Sequence, residues 1–255
     1  MLVFAYFWPF ALLFGLVIGS FLNVCICRVP LKQSVAAGRS YCPSCGHALK
    51  PLDLVPVFSY LFLRGKCRYC GERISAQYPL VELLSAGLYV LSFYIFGLTW
   101  MTLASWAFVS VLIVASMIDI HTFEIPDGAS IAILVIGAAC FFLPDSLLWW
   151  ERLLGVLCAA GPLLLVVLLS RGNAMGLGDV KLMAASGLVL GWKLSLFSLL
   201  SAVVIGAIVG VVLIASKKKG RKDAIPFVPM LSAGLVTALF WGNAAIAWYV
   251  SLLGL

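Results

Sequence analysis

Apolar runs about as long as a bilayer is thick recur along this chain and limit what it can fold into. A transmembrane α-helix needs about 20 mostly apolar residues, and such runs return over most of the 255 residues. Only 11% of the residues are charged, against about 25% in soluble domains. The sequence therefore predicts an all-α protein that crosses a membrane several times, and it excludes a soluble enzyme.

Glycine, proline and charged residues divide the apolar runs into about eight helices. One polar interruption, residues 25–78, holds eight of the seventeen Lys and Arg residues. We therefore expect a first transmembrane helix at 1–24, a small extramembrane domain at 25–78 and a seven-helix membrane domain at 79–255. The predicted helices are 3–24, 79–97, 100–118, 126–143, 152–170, 180–192, 194–215 and 227–250.

The distribution of basic residues predicts the orientation. The first basic residue, Arg28, follows the first apolar run, which indicates a retained helix whose N-terminus is outside. Segments 25–78, 171–181 and 217–222 then lie inside with eight, two and five basic residues, so fifteen of the seventeen are cytoplasmic. If 180–192 and 194–215 formed one long helix instead, the basic run 217–222 would lie outside, so the charge argues against that alternative.

Two acids lie where a membrane protein rarely has them. Asp119 is in MIDIHTFEIPD and Asp179, 60 residues later, is in MGLGDVKLM. An acid close to the bilayer is costly and indicates a functional site. Two predicted spans separate the pair, so both acids emerge on one face. When two carboxylates are held together they share a proton, and one activates a water while the other polarises a peptide carbonyl, as in aspartic proteases.

The partner of Asp179 is not fixed by its residue type alone. Asp127 follows Pro126 at a helix start, where an acid is ordinary, whereas Asp119 ends a helix, where the helix dipole opposes a negative charge. An acid kept in an unfavourable position is the better candidate. Physical reasoning therefore favours Asp119 over Asp127 and Glu124 and leaves those two open.

Four further residues are candidates to support the site. Gly176 and Gly178 are expected to allow close backbone approach and unusual dihedral angles beside the acid. Lys181 is expected to face lipid headgroups or to tune the acid pair. Glu82 is interpreted as an acid in the first turn of a helix, where it complements the dipole, with a part in shaping the site as the alternative.

Two C-x2-C pairs predict a metal site in the polar domain. The pairs are separated by 21 residues and each is followed by a glycine, a pattern typical of tetrathiolate zinc sites. The domain is expected in the reducing cytoplasm, where metal is favoured over a disulfide, and free thiols or a redox role are the alternative. The four ligands are Cys42, Cys45, Cys67 and Cys70.

Taken together, five segments resemble the type IV prepilin peptidases, bacterial inner-membrane enzymes of the GxGD aspartic class. In chain order they are GSFLNVCICRVP, SYCPSCGHAL, LRGKCRYCGERISAQYPLVELL, DIHTFEIPD and GLGDVKLM. The resemblance implies cleavage of basic leaders from prepilins and pseudopilins, followed by N-methylation with S-adenosylmethionine. It matches the family's catalytic pair to Asp119 and Asp179, and the family's cysteine loop to residues 42–70.

Several points stay open at the level of sequence. No glycine-rich nucleotide loop is present, so the residues that bind the methyl donor are unknown and methylation rests on the resemblance alone. Prepilins and the lipid bilayer are the expected partners; no nucleic acid is expected, and the oligomeric state is open. A proton-coupled transporter that uses the same acids is the alternative function, and it predicts acids near the bilayer midplane and an internal repeat.

Overall fold

Long apolar helices make up most of the molecule. The structure, a computed structural model, describes residues 2–143, 147–172, 175–216 and 224–253. Those residues contain no β-strand, only two isolated β-bridges. The helices are α1 (Leu2–Arg28), α2 (Phe58–Phe62), α3 (Gln77–Phe96), α4 (Trp100–Thr122), α5 (Asp127–Ala139), α6 (Trp149–Leu169), α7 (Leu177–Ala215) and α8 (Val228–Leu252).

Six of these helices are long and apolar enough to cross a membrane, and α5 is a shorter apolar helix extended by a 3-10 turn to Phe142. The all-α, multi-pass membrane class is thus confirmed. The exact number of eight spans is not confirmed, and it stays a prediction. The chain forms two compact units, Met1–Val114 and Ala115–Leu255, with α4 running through the boundary between them.

The first unit is built on an antiparallel pair of helices, α1 and α3. Small residues allow the two backbones to approach, since a Cβ atom at Gly15 would lie 2.6 Å from the Cα atom of Ala86. A Cβ atom at Gly19 would likewise lie 2.7 Å from the Cα atom of Glu82. One turn further on, Asn23 donates a hydrogen bond of 3.1 Å to the carbonyl of Tyr78. Close packing through small residues is how membrane helices gain van der Waals contact.

The second unit contains a helix that is interrupted in its middle. α7 runs over 39 residues, which as one straight helix would measure about 58 Å, nearly twice the roughly 30 Å hydrocarbon core. Gly191 breaks it with φ 72° and ψ 174°, a backbone conformation that glycine adopts without a Cβ clash. The predicted boundary between 180–192 and 194–215 falls at this break.

Contacts along α7 and α8 show that the chain reverses at the break. Gly242, just past the middle of α8, lies against Phe197, just after the break, while Gly206, further along α7, lies against Phe227 at the start of α8. Phe227 lines the same cavity as Asp179, which belongs to the first turn of α7. The second half of α7 therefore returns to the end of the unit from which the first half departed.

A buried arginine holds the opposite end of this unit. Arg152, at the start of α6, is 3% exposed. It donates hydrogen bonds to the carbonyl oxygens of Leu188 (2.6 Å) and Cys140 (3.0 Å), and its guanidinium lies over the ring of Phe141. The C-terminal ends of helical segments expose carbonyl oxygens that attract cations. Arg152 therefore joins the end of α5 to the end of the first half of α7.

Candidate functional site

The second unit carries a cavity of about 740 Å³ where its helices begin and end. Its wall includes the end of α4, the loop to α5, the start of α7 and the segment that leads into α8. Four acids line it, together with both glycines and the lysine of the GLGDVK motif. The acids are Asp119, Glu124, Asp127 and Asp179.

Asp119 and Asp179 are the two buried acids of this cavity. Asp119 is 5% exposed and Asp179 is 8% exposed, whereas Glu124 and Asp127 are exposed. The two buried carboxyl groups lie close enough for their charges to interact. The structure therefore brings together Asp119 and Asp179, the two acids favoured by the sequence analysis, although they are 60 positions apart in the chain.

Asp119 is held by a distant part of the chain, the start of α8, which could not be predicted from the sequence. It lies in the last turn of α4, and its Oδ2 accepts a 3.0 Å hydrogen bond from the backbone N–H of Val228. Val228 is the first residue of α8, and the first N–H groups of a helix have no partner within that helix. The N-terminus of α8 thus orients this carboxylate. Pro226 and Pro229 mark a helix start in the sequence, but nothing there indicates which acid its N–H groups would bind.

Asp179 is the third residue of α7 and lies over the helix N-terminus. The N–H group of Gly176, the residue that caps α7, is a hydrogen-bond partner of its carboxylate. Gly178 allows close approach as expected, since a Cβ atom there would lie 3.1 Å from the side chain of Ile125. The prediction of unusual dihedral angles at these two glycines is wrong. Gly176 has φ −81° and ψ 154°, which is ordinary extended backbone, and Gly178 lies within the helix.

Lys181 pairs with an acid across the mouth of the cavity. Its Nζ donates a 2.8 Å hydrogen bond to Oδ1 of Asp127, with 57% and 73% of the two side chains exposed. An ion pair this exposed contributes about 0–1 kcal/mol to stability. The sequence did not predict this pair, whose members are 54 positions apart. Among the described residues, Asp127 is therefore matched by a cation and the two buried acids are not.

The four predicted metal ligands lie together in the first unit. Their sulfur atoms are all within 4.8 Å of one another, and Sγ of Cys42 is 3.8 Å from Sγ of Cys70. A tetrahedral zinc ion with bonds of about 2.3 Å to sulfur requires sulfur–sulfur distances of about 3.8 Å. The cluster can therefore hold a metal ion.

The backbone around the cysteines repeats in the two halves of the cluster. Gly46 donates its N–H to the carbonyl of Cys42, and Gly71 donates to Cys67, at 2.8 and 3.0 Å. Both glycines have positive φ, 70° and 76°, as expected for tight knuckles. Backbone N–H groups of Cys45 and Ser44 lower the pKa of the Cys42 thiol to about 6, which favours the thiolate form that binds metals.

A second effect opposes thiolate formation at Cys70. The N–H of Glu72 lowers the pKa of this thiol, but burial and hydrogen bonds with the neighbouring thiols outweigh it and raise the pKa to about 12. Four thiols this close share protons that a divalent cation would displace.

An acid beside the cluster has a structural role that its loop position did not indicate. Asp53 accepts hydrogen bonds from Arg68 Nε (2.6 Å), the Tyr69 hydroxyl (3.0 Å) and the backbone N–H of Lys50 (3.1 Å). Burial alone would raise the pKa of Asp53, but these donors hold it below its usual range. The ring of Tyr69 in turn packs against that of His47, with 3.7 Å between the centroids and the ring planes tilted by 31°. Asp53, which lies in the 3-10 turn Pro51–Leu54, thereby ties that turn to the segment between Cys67 and Cys70.

Glu82 is placed differently from its expected position. It does not lie in the first turn of α3, and it is 6% exposed. Its Oε2 accepts a 2.7 Å hydrogen bond from the backbone N–H of Val57. The interpretation as a dipole-complementing acid is therefore wrong, and a part in shaping the site stays a prediction.

The basic run 217–222 and the acids Asp145 and Asp223 lie outside the described residues.

Two family models together match most of the chain. The bacterial peptidase A24 N-terminal domain matches residues 13–96, and the type IV leader peptidase family matches residues 106–211. The first model contains the four cysteines and the second contains both buried acids. No solved structure matches the chain.

Curated relatives match nearly the whole length. A prepilin leader peptidase/N-methyltransferase of Bacillus subtilis (strain 168) is 37% identical over 242 residues, covering 94% of this chain and 96% of the relative. Proteins of the same name from Aeromonas salmonicida (strain A449) and Burkholderia pseudomallei (strain 1026b) are each 34% identical. The match covers 94% of this chain and 92% of the Aeromonas relative, and 92% of this chain and 85% of the Burkholderia relative.

Proposed function

Because this chain belongs to the type IV leader peptidase family, we propose that it is a membrane aspartic endopeptidase that removes the basic leader from prepilins and pseudopilins. It then methylates the new N-terminal amine. The observation that carries the peptidase assignment is the pair of buried carboxyl groups, Asp119 and Asp179, in one cavity. The methylation follows from the full-length similarity to proteins named for both activities.

The pair performs the hydrolysis as a general acid and a general base. One carboxylate removes a proton from a water molecule while the other, protonated, polarises the scissile carbonyl and later protonates the leaving amine. The Val228 N–H fixes the orientation of Asp119, and the N-terminal turn of α7 fixes that of Asp179. Fixed carboxylates need little rearrangement when the water attacks.

The other two acids of the cavity are less suited to this chemistry. Asp127 is exposed and bonded to Lys181, so its charge is already compensated. Glu124 is also exposed, so solvent screens its charge and it has no reason to share a proton with a neighbour. Asp119 is therefore the better partner of Asp179.

Zinc is the metal that we assign to the four cysteines. Four thiolates at these distances fit a closed tetrahedral site, which is the structural type and leaves no open position for a substrate. The ion would stabilise the loop and take no part in peptide hydrolysis. S-adenosylmethionine is the proposed methyl donor, as the relatives' name implies a methyl source.

We propose that the protein lies in the inner membrane of a bacterial cell and that its cavity faces the cytoplasm. Within the second unit, Arg171 and Lys181 lie at the helix ends that carry the cavity, while Arg152 and Lys193 belong to the opposite ends. The basic run 217–222, which lies outside the described residues, adds five basic residues to the segments predicted to be cytoplasmic. Basic residues are retained on the cytoplasmic side.

The transporter alternative finds no support. Both buried acids lie in the terminal turns of their helices, not near the middle of a span, where coupling acids are found.

Co-expression with a prepilin tests the proposal. The wild-type chain is expected to convert the prepilin to a faster-migrating form whose new N-terminus carries one added methyl group by mass spectrometry. The Asp179→Asn variant, equally abundant in the membrane, should leave the precursor intact. An intact precursor with the wild-type chain would reject the function.

A further inference from the structure

A second, apolar groove continues from the acid cavity. It has a volume of about 500 Å³ and lies between α5, α6 and the first half of α7. Asp127 and Lys181 line both the groove and the cavity, so the two adjoin at this ion pair. Beyond that pair the lining is almost entirely apolar or small: Ser130, Ile131, Leu134, Val156, Ala184, Ala185 and Leu188.

The groove runs along the helices, away from the cavity. It extends from Asp127 to Leu134 on α5 and from Lys181 to Leu188 on α7. Seven residues at 1.5 Å each correspond to about 10 Å, or two helical turns. The groove therefore begins at the helix ends that carry the catalytic pair and leads into the apolar part of the unit.

We propose that this groove binds the apolar segment of the substrate that directly follows the scissile bond. The inference rests on the proposed function. A single-span substrate whose N-terminus stays inside changes from basic to apolar at the cut, and this surface makes the same change from the acid cavity to the groove. The bound segment runs in the same direction as α5 and the first half of α7.

The side chains of the groove suit a helical occupant. Ala184 and Ala185 present only methyl groups, which let another helix approach closely. Ile131 and Leu134 are 60% and 50% exposed, so they can cover an apolar partner on its open side. Burial of apolar side chains between protein walls replaces contact with lipid by closer packing.

One polar atom in the groove lacks a partner. Oγ of Ser130 is buried and has no hydrogen bond to any residue that the structure describes. A substrate helix that begins beside the cleavage site has N–H groups in its first turn with no partner of their own. The Ser130 hydroxyl oxygen can accept one of these, which places the first turn of the span next to the cavity.

Two matched tryptophan variants test the groove. Leu134 lines it, while its neighbour Val135 is 59% exposed and does not. In proteoliposomes, Leu134→Trp should raise KM for full-length prepilin about tenfold, because the larger side chain reduces the fit of an apolar pocket. The kcat of this variant should stay within about twofold of the wild-type value. Val135→Trp should leave both constants unchanged. Equal KM values for the two variants would overturn the inference while the peptidase function stands.

A crosslinking measurement separates the substrate from lipid. A diazirine-bearing side chain at position 134, in an Asp179→Asn background that retains the substrate, should label the first residues after the scissile bond. The same group at position 135 should label lipid. Labelling of lipid alone from position 134 would assign the groove to an acyl chain and reject the inference. Failure of the wild-type chain to cut the prepilin would reject the proposed function itself.

Discussion

At the scale of single residues, the contact between Asp119 and Val228 changes how the acid pair is understood. Asp119 lies in the last turn of α4, where the dipole of its own helix disfavours a negative charge. The N-terminus of α8 supplies a backbone donor at 3.0 Å and offsets that disadvantage. The position looks unfavourable only while the acid is considered with its own helix.

The acid pair leads to the first prediction. Asp119→Asn and Asp179→Asn should each lower kcat/KM for prepilin cleavage by at least a hundredfold, because acid–base groups contribute about 10²–10⁴-fold. Asp127→Asn should stay within several-fold of wild type, since that acid is exposed and paired with Lys181. Rates in detergent micelles, normalised to folded protein, provide the measurement. An inactive Asp127→Asn beside an active Asp119→Asn would reverse the assignment.

A second prediction at this scale concerns Arg152. Replacement by leucine removes the hydrogen-bond donors to the carbonyl oxygens of Leu188 and Cys140. Loss of a charged partner by buried polar groups lowers the free energy of unfolding by about 3 kcal/mol. Arg152→Leu should therefore lower the melting temperature in detergent by several degrees. Lys193→Leu removes an exposed cation from the same end of the unit and serves as the control. Equal melting temperatures for the two variants would contradict the role of Arg152.

At the scale of helices, α6 and the first half of α7 approach each other closely in the second unit. A Cβ atom at Gly187 would collide with the backbone of Gly155 and Val156, so the two helices meet through their main chains. In contrast, a Cβ atom at Gly210 would meet no atom of the described residues within 4 Å.

These glycines predict opposite responses to one substitution. Gly187→Ala should destabilise the protein by about 1–3 kcal/mol, the usual cost of overpacking. Gly210→Ala adds the same methyl group in open space and should leave stability unchanged or slightly higher, because alanine favours a helix. Thermal unfolding in one detergent compares the two. A loss at Gly210 as large as at Gly187 would mean that the packing argument is wrong.

The paired cysteine knuckles predict a metal-dependent loop. Purified protein should contain about one zinc ion per chain, and Cys67→Ser with Cys70→Ser should remove it. The loop should then become sensitive to protease, because metal binding supplies folding free energy, while cleavage of prepilin persists. Cys158→Ser, outside the cluster, is the control for metal content by mass spectrometry. Full zinc occupancy in the double variant would contradict the assignment.

At the scale of the whole molecule, the sidedness of the reaction follows from the basic residues. Inverted vesicles, cytoplasmic face outward, should process an added prepilin-derived peptide, and right-side-out vesicles should not. Removal of the leader's positive charges should slow the reaction more at low salt than at high salt, because the acids of the cavity attract a basic leader and salt screens that attraction. Equal processing by both kinds of vesicle would overturn the orientation.

Much of this architecture could be predicted from local features of the sequence. Hydrophobic runs give most helices to within a few residues, Gly191 marks the break in α7, and the C-x2-C spacing identifies the four cysteines that cluster. Contacts between distant segments could not be predicted. Lys181 reaches Asp127 from 54 positions away and Val228 reaches Asp119 from 109, and which partners meet depends on helix packing that no local pattern encodes. The contacts of Arg152 with the carbonyls of Leu188 and Cys140 could not be predicted for the same reason.

The bond from Val228 to Asp119 also sets an order of events during synthesis. Both aspartates leave the ribosome well before residue 228, yet the carboxylate of Asp119 acquires its donor only when α8 begins. A chain still being made thus carries both acids without the hydrogen bond that orients Asp119. The geometry of this carboxylate is therefore completed only when the last helix has been added to the chain.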